Sequence, residues 1–220
     1  MSDRKILIIA MLALVVVVVG GGIGLQAWRT GQDPKAVAAP AYSEPPVTVS
    51  DGEPLRLGSS SAPVKATLYE DFHCPHCADF ETEFGPTLDA AQQRGEVQVE
   101  LYPMSFIDAG SAGAANAMAC AAEAGIGVWY YKGLFANHTL QWSDAQLLDL
   151  AAQAGGTATP ELSRCVSDRV HQSWVDSINV AADANGVEGT PTMFVNGAPV
   201  DIAALTPETL EAMISDAAKQ

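Results

Sequence analysis

The amino-acid sequence predicts an α/β fold that carries an inserted block of helices and follows an N-terminal transmembrane helix. Strand-like alternation of apolar and polar residues flanks a helical stripe within residues 54–108, and strand character returns near residue 192. Residues 109–169 carry helical patterns alone. We therefore expect four regions: a cytoplasmic stub and transmembrane anchor at 1–29, a flexible tether at 30–53, one α/β domain built from 54–108 and 170–220, and an all-helical insertion at 109–169.

The composition is that of an acidic protein with enough apolar residues for one good core. The chain has 220 residues, of which 48% are hydrophobic, and a formal net charge of −15 at pH 7. Lysine and arginine together number 11 and form no run, whereas binding to phosphates needs a basic face. We therefore expect no nucleic-acid partner and interpret the acidic residues as a solvated surface.

The N-terminal segment predicts a single pass through the cell membrane. Arg4 and Lys5 precede an unbroken apolar stretch at residues 6–25, and about 20 such residues suffice to cross a bilayer. Positive charge before the span favours a cytoplasmic N-terminus and an extracytoplasmic folded domain. A cleaved signal peptide is the alternative, because Ala36-Val37-Ala38 resembles a cleavage site, although it lies well beyond the span. In both cases the folded part lies in an oxidising compartment, where disulfides persist.

A Cys-x-x-Cys motif, Cys74-Pro75-His76-Cys77, is predicted to join a strand to a helix. Residues 64–69 alternate like a strand, and the residues behind the motif form a buried helix stripe of Cys77, Phe80, Phe84, Leu88 and Ala91. Cys74 then lies near the N-cap, and Pro75 suits the first helical position. Unpaired N–H groups and the helix dipole favour the thiolate of Cys74, and a protonated His76 adds to this effect. We interpret the pair as a reactive dithiol.

The remaining elements follow from similar patterns. Short strands are expected at 55–57 and at 97–102, the second ending at Pro103. Gly85-Pro86 is expected to kink the first helix or split it in two, because proline removes a hydrogen bond and clashes with the preceding turn. Asn196-Gly197 predicts a hairpin turn, followed by an edge strand that contains Pro199. Further helices are expected to begin near Ala109, Val128, Leu147, Thr159, Val170 and Thr206.

The cysteines of the motif fit three kinds of chemistry. Cys74 and Cys77 could form half of a zinc or iron–sulfur site with His73 or His76, but a closed zinc site needs four ligands, usually from a second pair. They could also form an inert structural disulfide. Redox chemistry is favoured, because two intervening residues allow Cys74 to be exposed and Cys77 to lie one turn below, each open to attack from its own side. We therefore predict a redox site with no metal and no cofactor.

Cys120 and Cys165 both fall in the predicted helical insertion. They are either two free, buried thiols or a structural disulfide. Four cysteines allow three pairings. Because Cys74 and Cys77 are local partners and the compartment is oxidising, we favour a structural disulfide between Cys120 and Cys165.

Two motifs of the chain carry a resemblance to a known family: Phe72-His73-Cys74-Pro75-His76-Cys77 and Val187-Glu188-Gly189-Thr190-Pro191-Thr192. A Cys-x-x-Cys at a strand-to-helix junction is the thioredoxin signature. Over residues 54–219 the chain resembles the DsbA-like thiol:disulfide oxidoreductases, which have a thioredoxin fold with a helical insertion. One position departs from the pattern. Thioredoxin-like relatives often keep a buried acidic residue six positions before the first cysteine, where this chain has Leu68, and we expect Glu70 and Asp71 to face solvent.

The resemblance implies a role for each site residue. Cys74 would accept a substrate thiolate as a mixed disulfide, Cys77 would be the buried partner, and His76 would stabilise the Cys74 thiolate. Thr190 and Pro191 would be joined by a cis peptide bond beside the active disulfide and would dock the substrate chain. The implied function is an extracytoplasmic oxidase that donates its disulfide to reduced secreted or cell-envelope proteins. A membrane protein of the DsbB or vitamin K epoxide reductase type would re-oxidise it.

Two other functions stay open. A disulfide reductase or isomerase would share the site, although isomerases usually carry an N-terminal dimerisation domain, for which the tether at 30–53 has no room. A non-enzymatic metal-binding module would instead hold a metal through Cys74, Cys77 and a histidine.

Overall fold

The structure is a computed structural model that describes residues 33–35, 37, 45–153 and 159–219. The chain divides into two units, Met1–Asp33 and Pro34–Gln220. The first unit lies almost wholly outside the described residues, as do the predicted membrane span at 6–25 and most of the tether. In the described ranges, none of the helices combines the length and the apolar character that crossing a bilayer requires.

The described part of the second unit contains five strands and seven α-helices. The first group of elements is β1 (Leu55–Leu57), β2 (Val64–Asp71), α1 (Pro75–Gln93) and β3 (Val97–Met104). A block of helices follows, namely α2 (Ala109–Glu123), α3 (Gly127–Ala136), α4 (Asp144–Gln153) and α5 (Pro160–Ser167). The last group is α6 (Gln172–Ala184), β4 (Thr192–Val195), β5 (Ala198–Pro199), a 3-10 turn (Ile202–Ala204) and α7 (Pro207–Ala217). This order agrees with the α/β pattern predicted from the sequence.

The strands form one mixed sheet in the order β1-β3-β2-β4-β5. β2 and β3 run parallel, with Val64 opposite Val97 and Asp71 opposite Met104. β1 is antiparallel to β3, and β4 is antiparallel to β2. β5, which contains Pro199, lies at the edge of the sheet as predicted. β2 is therefore a central strand, and it delivers the Cys-x-x-Cys motif from its C-terminal end.

The predicted hairpin turn fixes the register of β4 against β2. Asn196 and Gly197 have φ angles of 47° and 80°, the left-handed conformation that a tight hairpin requires at both central positions. Asn196 also bonds Lys65 of β2 twice, through its side-chain oxygen at 2.7 Å and its N–H at 2.9 Å. Thr192 consequently lies opposite Tyr69, close to the end of β2 that leads into the motif.

The core lies between the sheet and the helices. The alternating residues of β2 and β3 are buried, among them Val64, Ala66, Leu68, Val97, Val99 and Leu101. Helix α1 buries the stripe predicted from its sequence, Cys77, Phe80, Phe84, Leu88 and Ala91. Each large apolar side chain buried in this way stabilises the fold by about 1.5–3 kcal/mol, so the stripe holds the motif against the sheet.

Pro86 lies inside α1 and does not split it, so that part of the prediction is wrong. A proline in a helix interior costs about 3 kcal/mol. The turns on either side bury Phe84 and Leu88, which together contribute about 3–6 kcal/mol. Packing therefore outweighs the local penalty, and the helix continues to Gln93.

β3 likewise runs through Pro103, where the sequence predicted its end. The last pair between β1 and β3 is Leu55 with Leu101, so no β1 residue lies beside Pro103 to lose a hydrogen bond. On the other side β2 continues past Glu70, the residue opposite Pro103. The proline is therefore tolerated beyond the end of β1.

The helical block contains a disulfide between Cys120 on α2 and Cys165 on α5, the pairing that the sequence favoured. Asn116 supports the same junction. Its amide donates to the carbonyls of Cys165 at 3.3 Å and Val166 at 3.4 Å, and its oxygen accepts from the N–H of His171 at 2.9 Å. The two helices are thus joined both covalently and by hydrogen bonds.

Val170, where the sequence predicted a helix to begin, lies just before α6. Val170 is 59% exposed, because α6 begins only at Gln172. Within the helix the buried face consists of Trp174, Val175, Ile178 and Ala182.

Candidate active site

The Cys-x-x-Cys motif forms the beginning of α1. Cys74 is the N-cap residue with an extended backbone, and Pro75 occupies the first turn, as predicted. The N–H of Cys74 donates to the carbonyl of Asp71 at 2.9 Å, and its own carbonyl accepts from Ala78 at 3.1 Å. The Cys74 side chain makes no capping hydrogen bond, so first-turn N–H groups remain free to face an anionic sulfur.

The loop before β4 lies over Cys74. The Thr190–Pro191 peptide bond is cis, and the Cys74 thiol donates to the Thr190 carbonyl across 3.6 Å. Cys74 is only 6% exposed, so the expectation of an open Cys74 is wrong. The reason is the strand register, which places Thr192 opposite Tyr69 and so carries the preceding residues over the sulfur.

Cys77 is a fully buried free thiol in the first turn of α1. Burial raises the pKa of this thiol far above its ordinary value, and the negative charge of Glu70 raises it further. Cys77 therefore holds its proton at neutral pH. Of these two free thiols, Cys74 is the less buried one.

The two histidines of the motif region differ in their surroundings. His76 is exposed, and no described residue makes a hydrogen bond or an ion pair with it.

His73 is buried, and its Nδ1 lies 2.7 Å from Oδ1 of Asp108, the N-cap of α2. Its Nε2 is buried without a partner among the described residues. Burial raises the pKa of Asp108, but hydrogen bonds from His73 and from the Ser111 and Gly110 N–H groups lower it by more, to below its ordinary value.

Metal-ligand side chains also meet outside the motif. In the described ranges, the side chains of Cys120, Cys165 and His171 lie close enough together to share an ion. Both sulfurs of that group are already bonded to each other in the disulfide. His171 instead pairs with Glu123 at 2.9 Å.

Asp71 is a buried carboxylate that ties together the segments around the motif. One of its oxygens accepts from the N–H of His73 at 2.9 Å and the hydroxyl of Ser111 at 2.7 Å. The other accepts from the N–H groups of Phe106 at 3.1 Å and Ile107 at 3.3 Å. The expectation that Asp71 faces solvent is wrong, because the loop after β3 and the start of α2 fold over it.

Glu70 is also fully buried, again contrary to expectation. Tyr131 of α3 donates to Oε2 of Glu70 and lies 2.7 Å from Oε1 of Glu81 on α1. Burial and then the charge of Glu81 raise the pKa of Glu70 well above its ordinary value. Burial, together with the charge of Asp89, raises the pKa of Glu81 to about 7. Two carboxyl groups with raised pKa values therefore share one hydroxyl.

Residues 50–216 match the model of a family described as thioredoxin. The chain belongs to the thioredoxin family. This thioredoxin-family chain is similar to the reduced form of the disulfide bond oxidoreductase DsbG from Mycobacterium tuberculosis, with 26% identity, a TM-score of 0.66, and coverage of 78% of this chain and 90% of that one. It is also similar to reduced DsbA from the same organism, with 25% identity, a TM-score of 0.65, and coverage of 76% and 93%.

MdbA, a thiol-disulfide oxidoreductase from Actinomyces oris, shares the fold at 22% identity, with a TM-score of 0.66 and coverage of 82% of this chain and 93% of that one. Within the thioredoxin family, the chain thus has the architecture of the DsbA- and DsbG-type thiol–disulfide oxidoreductases.

A curated relative, the Na(+)/H(+) antiporter NhaA 3 of Salinispora tropica, is 30% identical over 162 residues. The match covers 72% of this thioredoxin-family chain and 24% of the antiporter. The chain therefore spans about a quarter of the length of that relative, and the likeness is confined to that part.

The structure brings together some of the site residues predicted from the sequence and separates others. Cys74, Cys77 and Thr190 meet at the start of α1, whereas Cys120 and Cys165 lie between α2 and α5. Sequence reasoning missed Glu70, Tyr131 and Glu81. The alternation along β2 could have identified Glu70, because it lies on the same face of the strand as the buried residues Val64, Ala66 and Leu68. No sequence pattern indicates the contact with Tyr131, since it lies 61 positions from Glu70.

Proposed function

We propose that this protein is a thiol oxidase that passes a Cys74–Cys77 disulfide to reduced secreted or cell-envelope proteins. The observation that carries the proposal is the contrast between its two sulfurs. Cys74 lies at the N-cap of α1 beside a substrate-docking backbone, whereas Cys77 is fully buried. An incoming thiolate therefore reaches Cys74 first.

The transfer takes two thiol–disulfide exchanges. A substrate thiolate attacks Sγ of Cys74, the Cys74–Cys77 bond breaks, and Cys77 leaves with the electron pair and takes up a proton. A second substrate thiolate then attacks the substrate sulfur of the mixed disulfide, and Cys74 leaves as a thiolate. The substrate loses two electrons and gains a disulfide, and the enzyme is left with two reduced cysteines.

The position of Cys74 supports the oxidising direction. Free N–H groups and the positive end of the helix dipole stabilise an anionic sulfur at the N-cap. The disulfide form has no thiolate and gains nothing from this arrangement. Stabilisation of the reduced form makes the disulfide a stronger oxidant.

The Thr190–Pro191 segment supports docking of an extended substrate chain. The Thr190 carbonyl lies 3.6 Å from the Cys74 sulfur, so a peptide that pairs with this backbone brings its own cysteine to the reacting atom. Backbone pairing of this kind does not depend on the side chains of the substrate. Unrelated client proteins can therefore use the same segment.

We also propose that residues 6–25 anchor the chain in the cell membrane, with a cytoplasmic N-terminus and the catalytic domain outside. Arg4 and Lys5 before the apolar stretch support this orientation, and the Cys120–Cys165 disulfide suits an oxidising compartment. In that setting, a membrane protein of the DsbB or vitamin K epoxide reductase type would accept the two electrons and restore the disulfide.

The reduction potential of the Cys74–Cys77 pair tests the oxidase proposal. We expect a value more oxidising than about −180 mV after equilibration of the full-length chain in glutathione buffers, with the redox state read by thiol labelling and mass spectrometry. The oxidised protein should also restore activity to reduced, denatured ribonuclease A, and Cys74→Ser should not. A potential near the thioredoxin value of about −270 mV would indicate a reductase instead. Stoichiometric metal bound through Cys74 and Cys77 would favour the metal-binding alternative.

A further inference from the structure

Three polar side chains of the helical block bind the backbone of the chain near its N-terminal end. We propose that Pro34, Lys35 and Val37, which we call the strap, belong to the folded catalytic domain and dock on a face of α3 and α4 that binds an extended backbone. The sequence predicted a flexible tether over these residues. The proposal depends neither on the oxidase function nor on the proposed membrane anchor, although it bears on the anchor.

Asn137, the C-cap residue of α3, binds both backbone groups of Lys35. Its Oδ1 accepts from the Lys35 N–H at 2.7 Å, and its Nδ2 donates to the Lys35 carbonyl at 3.0 Å. Nδ2 also donates to the carbonyl of Gly133 within α3 at 2.8 Å, which fixes the orientation of the amide. The amide thus makes the two bonds that a paired strand residue makes in a sheet, and these bonds do not depend on the Lys35 side chain.

The residues on either side of Lys35 are bound in the same way. The indole N–H of Trp129 on α3 donates to the carbonyl of Val37 at 3.0 Å. The side-chain amide of Gln153, at the end of α4, donates to the carbonyl of Pro34 at 3.3 Å. Every strap residue is therefore bound through its backbone by a side chain of α3, its C-cap or α4.

The contact is buried on both sides. Trp129 is 2% exposed and Asn137 is 5% exposed. Pro34 is buried, and Val37 packs against the hydrophobic core. A buried indole N–H and a buried amide cost free energy unless they are hydrogen-bonded, and the strap supplies the partners that these groups need. The face is therefore built around a bound chain segment.

The chain also contacts the helices beyond the strap. The N–H of Val47 donates to the carbonyl of Ala122 on α2 at 3.0 Å, and the N–H of Gly52 donates to Oγ of Ser177 on α6 at 2.7 Å. The described residues on both sides of positions 38–44 are thus bound to the domain. We infer that the free part of the tether ends before Pro34.

Docking of the strap distinguishes the two fates predicted for the N-terminal segment. Cleavage after Ala38, as for a signal peptide, would remove the strap and with it the backbone partners of Trp129 and Asn137. An uncleaved anchor keeps the strap, and residues 26–33 then connect the apolar stretch to the domain. A connection of that length limits how far the catalytic domain can move away from the proposed anchor.

Native-state proteolysis of the full-length chain, purified in detergent, measures docking of the strap. Trypsin cleaves after lysine and requires an undocked segment, so the rate of the cut between Lys35 and Ala36 follows the undocked fraction. Mass spectrometry separates this cut from one after Lys132, which lies inside α3 and reports opening of the domain itself. Hydrogen exchange of the Lys35 N–H gives a second measurement, since this group is bonded to Asn137.

In the wild type, we expect the cut after Lys35 to be at least about 10-fold slower than in a synthetic peptide of residues 30–44. Asn137→Ala should accelerate it by about 10-fold, because two hydrogen bonds to Lys35 are lost. Trp129→Phe keeps an aromatic ring and removes one bond, so it should accelerate the cut by about 3-fold. Both variants should speed exchange of the Lys35 N–H and leave the cut after Lys132 unchanged.

Trp174→Phe is the matched control. The Trp174 indole donates to the carbonyl of Glu53 at 2.9 Å, so this variant removes the same kind of bond from a different segment. The cut after Lys35 should keep its wild-type rate.

Three results would overturn the proposal: a wild-type rate equal to that of the peptide, no acceleration in Asn137→Ala and Trp129→Phe, or equal acceleration in Trp174→Phe. None of them would affect the oxidase function, which the reduction potential tests, or the anchor, which cell fractionation tests.

Discussion

Removal of the Cys120–Cys165 disulfide should lower the stability of the protein by a predictable amount. The two cysteines are separated by 45 positions in the sequence. In the chain-entropy model, a cross-link over about 45 residues lowers the entropy of the unfolded chain and so raises its free energy by about 4 kcal/mol at 25 °C. For a domain of this size, 1 kcal/mol corresponds to about 2–4 °C in Tm, so Cys120→Ala/Cys165→Ala should melt about 8–16 °C below the wild type.

The hydrogen bonds from Asn116 to the backbone at this junction should survive the substitution. Asn116 bonds the backbone carbonyls of residue 165 and Val166 and the N–H of His171, none of which the alanines remove. The loss should therefore reflect the unfolded chain more than the folded one. Calorimetry of the full-length chain measures the change. Thiol–disulfide exchange between the Cys74–Cys77 pair and oxidised glutathione should continue at close to its normal rate.

A reductant provides an independent measurement of the same quantity. In a Cys74→Ala/Cys77→Ala background the remaining disulfide is Cys120–Cys165, so adding reductant should lower the Tm by the same amount. The variant that lacks all four cysteines should not respond. A fall in Tm of less than about 2 °C in the Cys120→Ala/Cys165→Ala variant would refute the loop argument, because it corresponds to 1 kcal/mol or less. Loss of exchange activity would refute the purely structural role.

Two further outcomes follow from the structure and one from the sequence. Asp71→Asn places an NH₂ group against N–H and O–H donors, so the free energy of unfolding in urea should fall by about 3 kcal/mol. The control Asp79→Asn, on the exposed face of α1, should leave it unchanged. The folded-state pKa of Glu81 is raised to about 7, so the folded protein binds this proton more tightly than the unfolded chain does. The resulting contribution to the free energy of unfolding is complete below the unfolded pKa of about 4.5 and is lost as the pH rises through 7. The wild type should therefore lose up to about 3 kcal/mol relative to Glu81→Gln between pH 4.5 and pH 8 in urea titrations, and parallel pH curves would contradict this. Cell fractionation should find the full-length chain in the membrane with its catalytic domain open to external protease, and a released protein beginning at Ala39 would indicate a cleaved signal peptide instead.

Periodicity predicted the elements that carry the site, because their apolar patterns are local. The stripe of α1 and the alternation of β2 place Cys74 at a strand-to-helix junction, and the Asn196-Gly197 turn predicts the β4–β5 hairpin. The errors arose where tertiary contacts override a local rule. Pro86 and Pro103 were read as breaks, but one lies between buried turns and the other beyond the end of a neighbouring strand.

The environment of the site was less predictable than its position. Cys74 was expected to be open, and its burial depends on the register between β2 and β4, which no single segment specifies. Glu70 and Asp71 were assigned to solvent because they are acidic, although Glu70 falls on the buried face of β2. The donors that make their burial tolerable come from Tyr131, Phe106 and Ser111, all distant in sequence. Only the fold shows that these partners exist.

The contact between Tyr131 and Glu70 makes the helical block inseparable from the chemistry beside it. Tyr131 and Lys132 belong to α3, whereas Glu70 and Glu81 belong to β2 and α1. A chimera that borrowed α2–α5 from a relative without a tyrosine at this place would fold around two facing carboxyl groups with no hydroxyl between them. A chimera that keeps this contact therefore has to take Glu70, Glu81 and Tyr131 from the same protein.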